Sequence, residues 1–317
     1  MQKIYMTIDE QIDYLESKNL IINNKKFAKK KLMEIGYYKL INAYKIPFKD
    51  NKDVDRKFEN GVKFEDLYYL YKFDLQLKSI VFEATTNIEI NFKSLLSECI
   101  SSKYGIKNRK YLRPENFAPD TGNPGEYTFA NMKKHIKDSI KKQIDNSQPA
   151  IKWYNDQYKY FPFWVVVNIL TIGSVSRIYS KLKLQDQIEI AKNYKLPHDY
   201  LSSFIIHINL VRNICAHNDV LYRYKFINAI PQKVKCVKEK FELLCINKNT
   251  KTGRYEKGTN DFLSTLIIFK LLLSKEDFNT FKTKFNGILT TLKKKVSAQY
   301  YEKILFEMGL IDTWNLL

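Results

Sequence analysis

Apolar positions recur at three- and four-residue steps over most of the chain, the spacing of helices that bury one face. No stretch alternates with a period of two for long, so strands are not expected. The strongest pattern lies between Phe64 and Ile100. There Leu77, Ile80, Val81, Ala84, Ile88, Phe92, Leu95, Leu96 and Cys99 keep the helical rhythm, with no Pro or Gly among them. Ahead of it, Thr7 and Glu10 form a T-x-x-E capping box before QIDYLESKNLI, and NKKFAKKKLMEIGYYKLINAY (24–44) predicts a second helix. Pro47 closes this unit, and the polar FKDNKDVDRKFENG (48–61) reads as a linker.

Beyond the long helix, Gly105, Pro114, Pro119, Gly122, Pro124 and Gly125 mark an irregular loop, followed by the basic helix NMKKHIKDSIKKQI. FPFWVVVNILTIGSVSRIYSKL (161–182) outruns strand length despite its three valines and predicts a helix. A further helix is expected over 199–219, a polar loop over 247–260 with Gly253 and Gly258, and a helical group from Asp261 in which Ser274 and Asp277 give a capping signal. The expectation is an all-α protein in three segments: an N-terminal helical segment (1–60), a helical core (61–225) and a C-terminal helical extension (226–317).

Length and charge narrow the function. At 317 residues the chain has ample material for a core. Lys outnumbers Arg 46 to 7, which codon bias alone produces, but codon bias does not require the deficit of Asp and Glu behind the net charge of +19. An anionic partner follows, and nucleic acid is the leading one. Candidate phosphate contacts are Lys29, Lys30 and Lys31 in NNKKFAKKK, Lys133, Lys134, Lys141 and Lys142 in KKHIKDSIKK, and Arg177 and Arg223. Each run also reads simply as a solvated face. Four cysteines without a C-x-x-C pair give neither a disulfide framework nor a zinc knuckle, and no metal or cofactor is implied. No apolar run reaches membrane-spanning length and the opening MQKIYMTIDEQIDYL has no secretory pattern, so a soluble cytoplasmic protein is expected.

One short stretch, INLVRNICAHNDVLYRY (208–224), joins one of only seven arginines to one of only four histidines, five positions apart. On a helical wheel at about 100° per residue, Leu201, Phe204, Ile208, Val211 and Cys215 form the core stripe. Asn213 and His217, one turn apart, point away from it, and Arg212 lies on its flank. His207 falls near the stripe and reads as a satisfied core histidine. Zinc binding through Cys215 and His217 is disfavoured, because the two side chains point to different faces. Arg beside Asn with His one turn on suits cleavage of RNA by its own 2′-hydroxyl: an imidazole moves the proton near neutrality and a guanidinium holds the phosphate as charge develops. One histidine does not serve both sides of the phosphorus, and a second copy of the chain would supply the other.

Arg212-Asn213-Ile214-Cys215-Ala216-His217 matches the R-x(4–6)-H signature of HEPN ribonucleases. GYYKLINAYKIPF (36–48), DLYYLYKFDLQLKSIVFEATTNIEINFKSLL (66–96), FPFWVVVNILTIGSVSRIYSKL and HINLVRNICAHNDVLYRY resemble, in order, blocks of the AbiD/AbiF-like abortive-infection proteins of bacteria. The tail MGLIDTW is also similar. The chain departs from the pattern at Lys39, where relatives often carry Arg, and at Asn42-Ala43, where they carry Ser-Gly. The resemblance implies a HEPN-type helical bundle and a composite active site across a homodimer. It implies metal-independent endoribonuclease action in phage defence, with Arg212 and His217 catalytic and Asn213 orienting. It also implies RNA as partner, both as target and as a bound small non-coding RNA. A non-cleaving RNA-binding protein is the alternative. Glu89 sits where the family tends to keep a Glu, and reads at least as well as an exposed helix residue or a buried pairing partner.

Overall fold

The structure, a computed structural model, describes residues 5–50 and 57–317. Among these residues the chain is helical, and extended backbone pairs only as isolated bridges, which is the all-α class expected. α1 (Ile8–Ser17) starts at the expected capping box: the Glu10 amide donates to Thr7 Oγ1 and the Thr7 amide donates to the Glu10 carboxylate. α2 (Lys25–Ile35) stops at Gly36, whose φ of +88° lies in the region that favours glycine. The helix expected over 24–44 is therefore broken, continuing as a π-type turn over Tyr38–Asn42 and a 3-10 turn over Ile46–Phe48. Residues 51–56 of the expected linker lie outside the described residues. Its flanks are tied together, with the Glu59 amide donating to the Phe48 carbonyl at 3.0 Å.

α3 (Phe64–Tyr104) runs for 41 residues along the apolar stripe read from the sequence, with Leu77, Val81, Ile88, Phe92 and Leu96 buried. The expected loop after it holds the short α4 (Asn108–Tyr111) and a 3-10 turn. α5 (Phe129–Asp145) is the basic helix, and α6 (Pro149–Tyr158), which sequence reading missed, packs against it.

The helix expected over 161–182 is two. α7 (Phe163–Val166) passes through a 3-10 turn to Leu170, which is extended. Thr171 then caps α8 (Ile172–Lys181) by accepting from the Ser174 amide at 3.2 Å. A threonine that offers the backbone a cap ends one helix as it starts the next. α9 (Leu184–Lys192), α10 (His198–Ala216) and α11 (Lys235–Leu243) follow. α12 (Phe262–Leu272) is buried nearly all round, and α13 (Lys275–Lys293) and α14 (Ala298–Glu307) complete the C-terminal group. The Ser274 cap is formed, accepting from the Asp277 amide at 3.0 Å.

α10 packs against α3, α8, α9 and α12, while α13 lies along α3 and reaches Glu83 through Lys284. The tail returns to the start of α12. Gly309, at φ +74°, sits where a Cβ would collide with the Asp261 carboxyl, which caps α12 by accepting from the Gly258 and Ser264 amides.

The segment after α10 is anchored to α3 by one charge. Asp74, fully buried, accepts from the Leu221 amide at 3.1 Å, the Tyr222 amide at 2.8 Å and the Tyr44 hydroxyl at 2.8 Å. Lys78, one turn along α3, stands 3.2 Å from the same carboxylate and donates to Asn218 Oδ1 at 2.6 Å. Burial pushes the Asp74 carboxyl up, while Lys78 and the hydrogen-bond donors pull it back. Removing one member of such a set leaves buried groups without partners. Asp74→Ala is expected to destabilise by about 3–5 kcal/mol in urea unfolding, because Lys78 and two amides lose their acceptor together.

His207 is the core histidine that the stripe suggested. It is buried, its Nε2 lies 2.9 Å from Thr265 Oγ1 of α12, and its ring packs on Phe226. Burial holds its pKa down at about 3. An unfolded histidine titrates near 6.5, so its contribution to stability is complete above that pH and is lost as pH falls from about 6.5 toward about 3. At pH 5 the loss from this residue is about 2 kcal/mol. Urea midpoints of wild type and His207→Asn, compared at pH 7.5 and pH 5, are expected to show a smaller pH dependence in the variant.

Candidate functional site

α10 ends one residue before the motif histidine rather than at 219. His217 is the C-cap, its amide donating to the Asn213 carbonyl at 2.9 Å. Asn218 takes the left-handed conformation, φ +57°, and its amide reaches Cys215 O at 3.3 Å while the Asp219 amide reaches Ile214 O at 3.1 Å. This is a Schellman closure with Asn in the place usually given to Gly. The Asn218 side chain is in turn held by Lys78, so the backbone at His217 is fixed from both sides.

The buried arc of α10 is wider than the stripe read from the sequence. Ile205 and Ile214 are buried as well, and Cys215 only partly, because neighbours pack on several sides of this helix. Burial pushes the Cys215 thiol up to about 12, so it is not a thiolate at neutral pH. The outward face carries Ile206, Asn213 and His217, with His217 exposed and Asn213 half-buried.

Arg212 lies between this face and α3. Its Nε is 3.1 Å from Glu89 Oε2, an ion pair in which the N–H is not aimed for a hydrogen bond, and its guanidinium sits over the Phe82 ring at 5.3 Å. Glu89 is buried and also pairs with Lys93 Nζ at 2.7 Å. The carboxylate thus orients Arg212, and with 33% of the arginine side chain accessible, part of it faces solvent. Phosphate binding and proton transfer are the chemistry this pair of side chains offers.

The basic residues named from the sequence separate into two kinds. Lys29 pairs with Asp9, and Lys30 and Lys31 pair with Glu34. Arg223 donates to the Ala43 carbonyl at 3.4 Å and is half-buried, tying the segment after the motif to the 36–48 block. By contrast Lys134, Lys141 and Lys142 on α5 are exposed, and neither they nor Lys133 reach an acid of the described chain. Lys133 lies over Phe129, and Arg177 on α8 over Tyr127.

Sequence reasoning missed Asp74 and Lys78. The signal was present as an Asp and a Lys four apart within an apolar periodicity, where solvated charges do not belong. It also passed over His135 on α5, whose Nε2 is 2.8 Å from Ser174 Oγ at the start of α8. α8 meets α10 there: Gly173 stands against the Asn209 side chain, one turn before Asn213.

No helix among the described residues is long and apolar enough to cross a membrane. No curated protein and no solved structure shows significant similarity to the chain. A family model described as "Abi-like protein" matches residues 30–223, from α2 through the motif and its clamped turn. That match spans more than half of the chain and includes Glu89, Arg212, Asn213 and His217, so the protein belongs to the Abi-like family of abortive-infection proteins.

Proposed function

We propose that the protein is a HEPN-type, metal-independent endoribonuclease of phage defence, acting on RNA as a cytoplasmic homodimer. The observation that carries the reading is the placement, near one end of α10, of an exposed His217 on a closed helix terminus and of an Arg212 oriented by buried Glu89. Family membership supports the defence role. Exposed Phe82, at 37% and under the Arg212 guanidinium, and Ile206, at 56% and two turns before Asn213 on the outward face of α10, support a second copy as the cover of this face.

In this reading one His217 removes the proton from a ribose 2′-hydroxyl, and the oxygen attacks the adjacent phosphorus. The bond from phosphorus to the 5′-oxygen breaks, and His217 of the second copy protonates the leaving oxygen. The products are a 2′,3′-cyclic phosphate and a 5′-hydroxyl. Arg212 neutralises the charge that builds on the phosphoryl oxygens, and Asn213 orients the substrate or the imidazole. Single-stranded or loop RNA is the substrate class, since its linkage can reach in-line geometry. A bound small non-coding RNA restraining the enzyme is part of the same proposal.

Incubating purified protein with total cellular RNA in EDTA and sequencing the ends tests it. Wild type is expected to leave 2′,3′-cyclic ends, and His217→Ala or Arg212→Ala to lower the rate at least about 100-fold, His217→Ala with unchanged melting temperature and Arg212→Ala still folded by circular dichroism. Equal cleavage by folded His217→Ala protein overturns the assignment.

A further inference from the structure

We propose that α6 and α5 together form a binding surface for single-stranded RNA, with bases stacked on Trp153 and Tyr158 and phosphates met by the lysines of α5. The surface is separate from the motif, and the proposal holds whether or not His217 cleaves.

The aromatic half of the surface is concentrated within eight residues. Trp153, Tyr154, Tyr158 and Tyr160 form one continuous cluster, with ring centroids 4.9 Å (Trp153–Tyr154), 5.2 Å (Trp153–Tyr158) and 5.7 Å (Tyr158–Tyr160) apart. Tyr154 packs toward the core, whereas Trp153 is 50% and Tyr158 46% exposed and neither belongs to it. Rings used only for packing are buried, whereas about half of each of these two remains accessible. Every base has a π-face, so exposed rings on a rigid helix accept unpaired bases with little regard to sequence.

The charge half explains why the occupant is a polyanion. Lys107 lies 5.3 Å over the Tyr160 ring, and Lys159, next in sequence to Tyr158, is exposed. α5, packed against α6, adds Lys134, Lys137 and Lys141 on its outer face. Asp138 and Asp145 share that helix, yet none of the three lysines forms an ion pair within the described chain. α2 is the contrast, because Lys29, Lys30 and Lys31 are each matched by an acid. Cations without internal partners are the ones whose counterions a nucleic acid releases.

Fluorescence anisotropy with a 2′-O-methyl uridine 15-mer tests the surface, since that probe lacks the 2′-hydroxyl and reports binding without cleavage. Trp153→Ala and Tyr158→Ala are each expected to weaken binding about 5- to 150-fold, and Trp153→Phe to retain most of it. Replacing Lys134 and Lys141 by Ala is expected to lower the slope of log K against log salt by about 1.4, while replacing Lys29 and Lys30 leaves it unchanged. A duplex of the same length is expected to compete poorly. Circular dichroism confirms folding of each variant.

Wild-type affinity in folded Trp153→Ala and Tyr158→Ala proteins overturns the proposal. So does absence of oligonucleotide binding by the wild type, which would leave the cluster to α6 packing or to a protein partner. Absence of oligonucleotide binding by the wild type with His217-dependent cleavage intact sinks this surface alone, and binding without cleavage sinks the nuclease reading alone.

Discussion

The geometry at the end of α10 depends on a single buried carboxylate. Asp74 gathers two amides of the 221–222 segment, the Tyr44 hydroxyl and Lys78, joining three parts of the chain that are far apart in sequence. A charge buried so completely is tolerated only with partners on every side, so each partner's position is fixed by the others. Lys78 carries the constraint to Asn218, which closes the helix immediately after His217. The exposed imidazole therefore stands on a backbone tied to the core beneath it.

Much of the helical frame was legible because burial in a bundle imposes a period on the sequence. The long run to Ile100 reads correctly, and the Thr7 and Ser274 caps form as their spacing indicates. What periodicity does not show is where local chemistry interrupts it. Gly36 and Thr171 each end a stretch whose apolar rhythm continues, one through its backbone freedom and the other through its hydroxyl. The short α6 and α9 were missed because about ten residues give too few turns for a pattern to stand out.

The motif itself was legible as a coincidence of scarce residue types, and the wheel correctly turned His217 outward. Of its supports only Glu89 was noticed, and its partner was not. Glu89, Asp74 and Lys78 belong to α3, more than a hundred residues earlier, and only the folded chain places them beside α10. Composition was a blunter guide. A surplus of lysine does not say which lysines are matched internally, and the difference between α2 and α5 appears only when acids and bases are located in space.

The close approach of Gly309 to Asp261 limits how this chain can vary at its tail. The carboxylate that starts α12 occupies the volume any larger residue at 309 would need, so cap and tail constrain each other across almost fifty positions of sequence. A tail grafted onto this chain should be tolerated when it keeps a glycine at 309, and should fray the first turn of α12 when it does not.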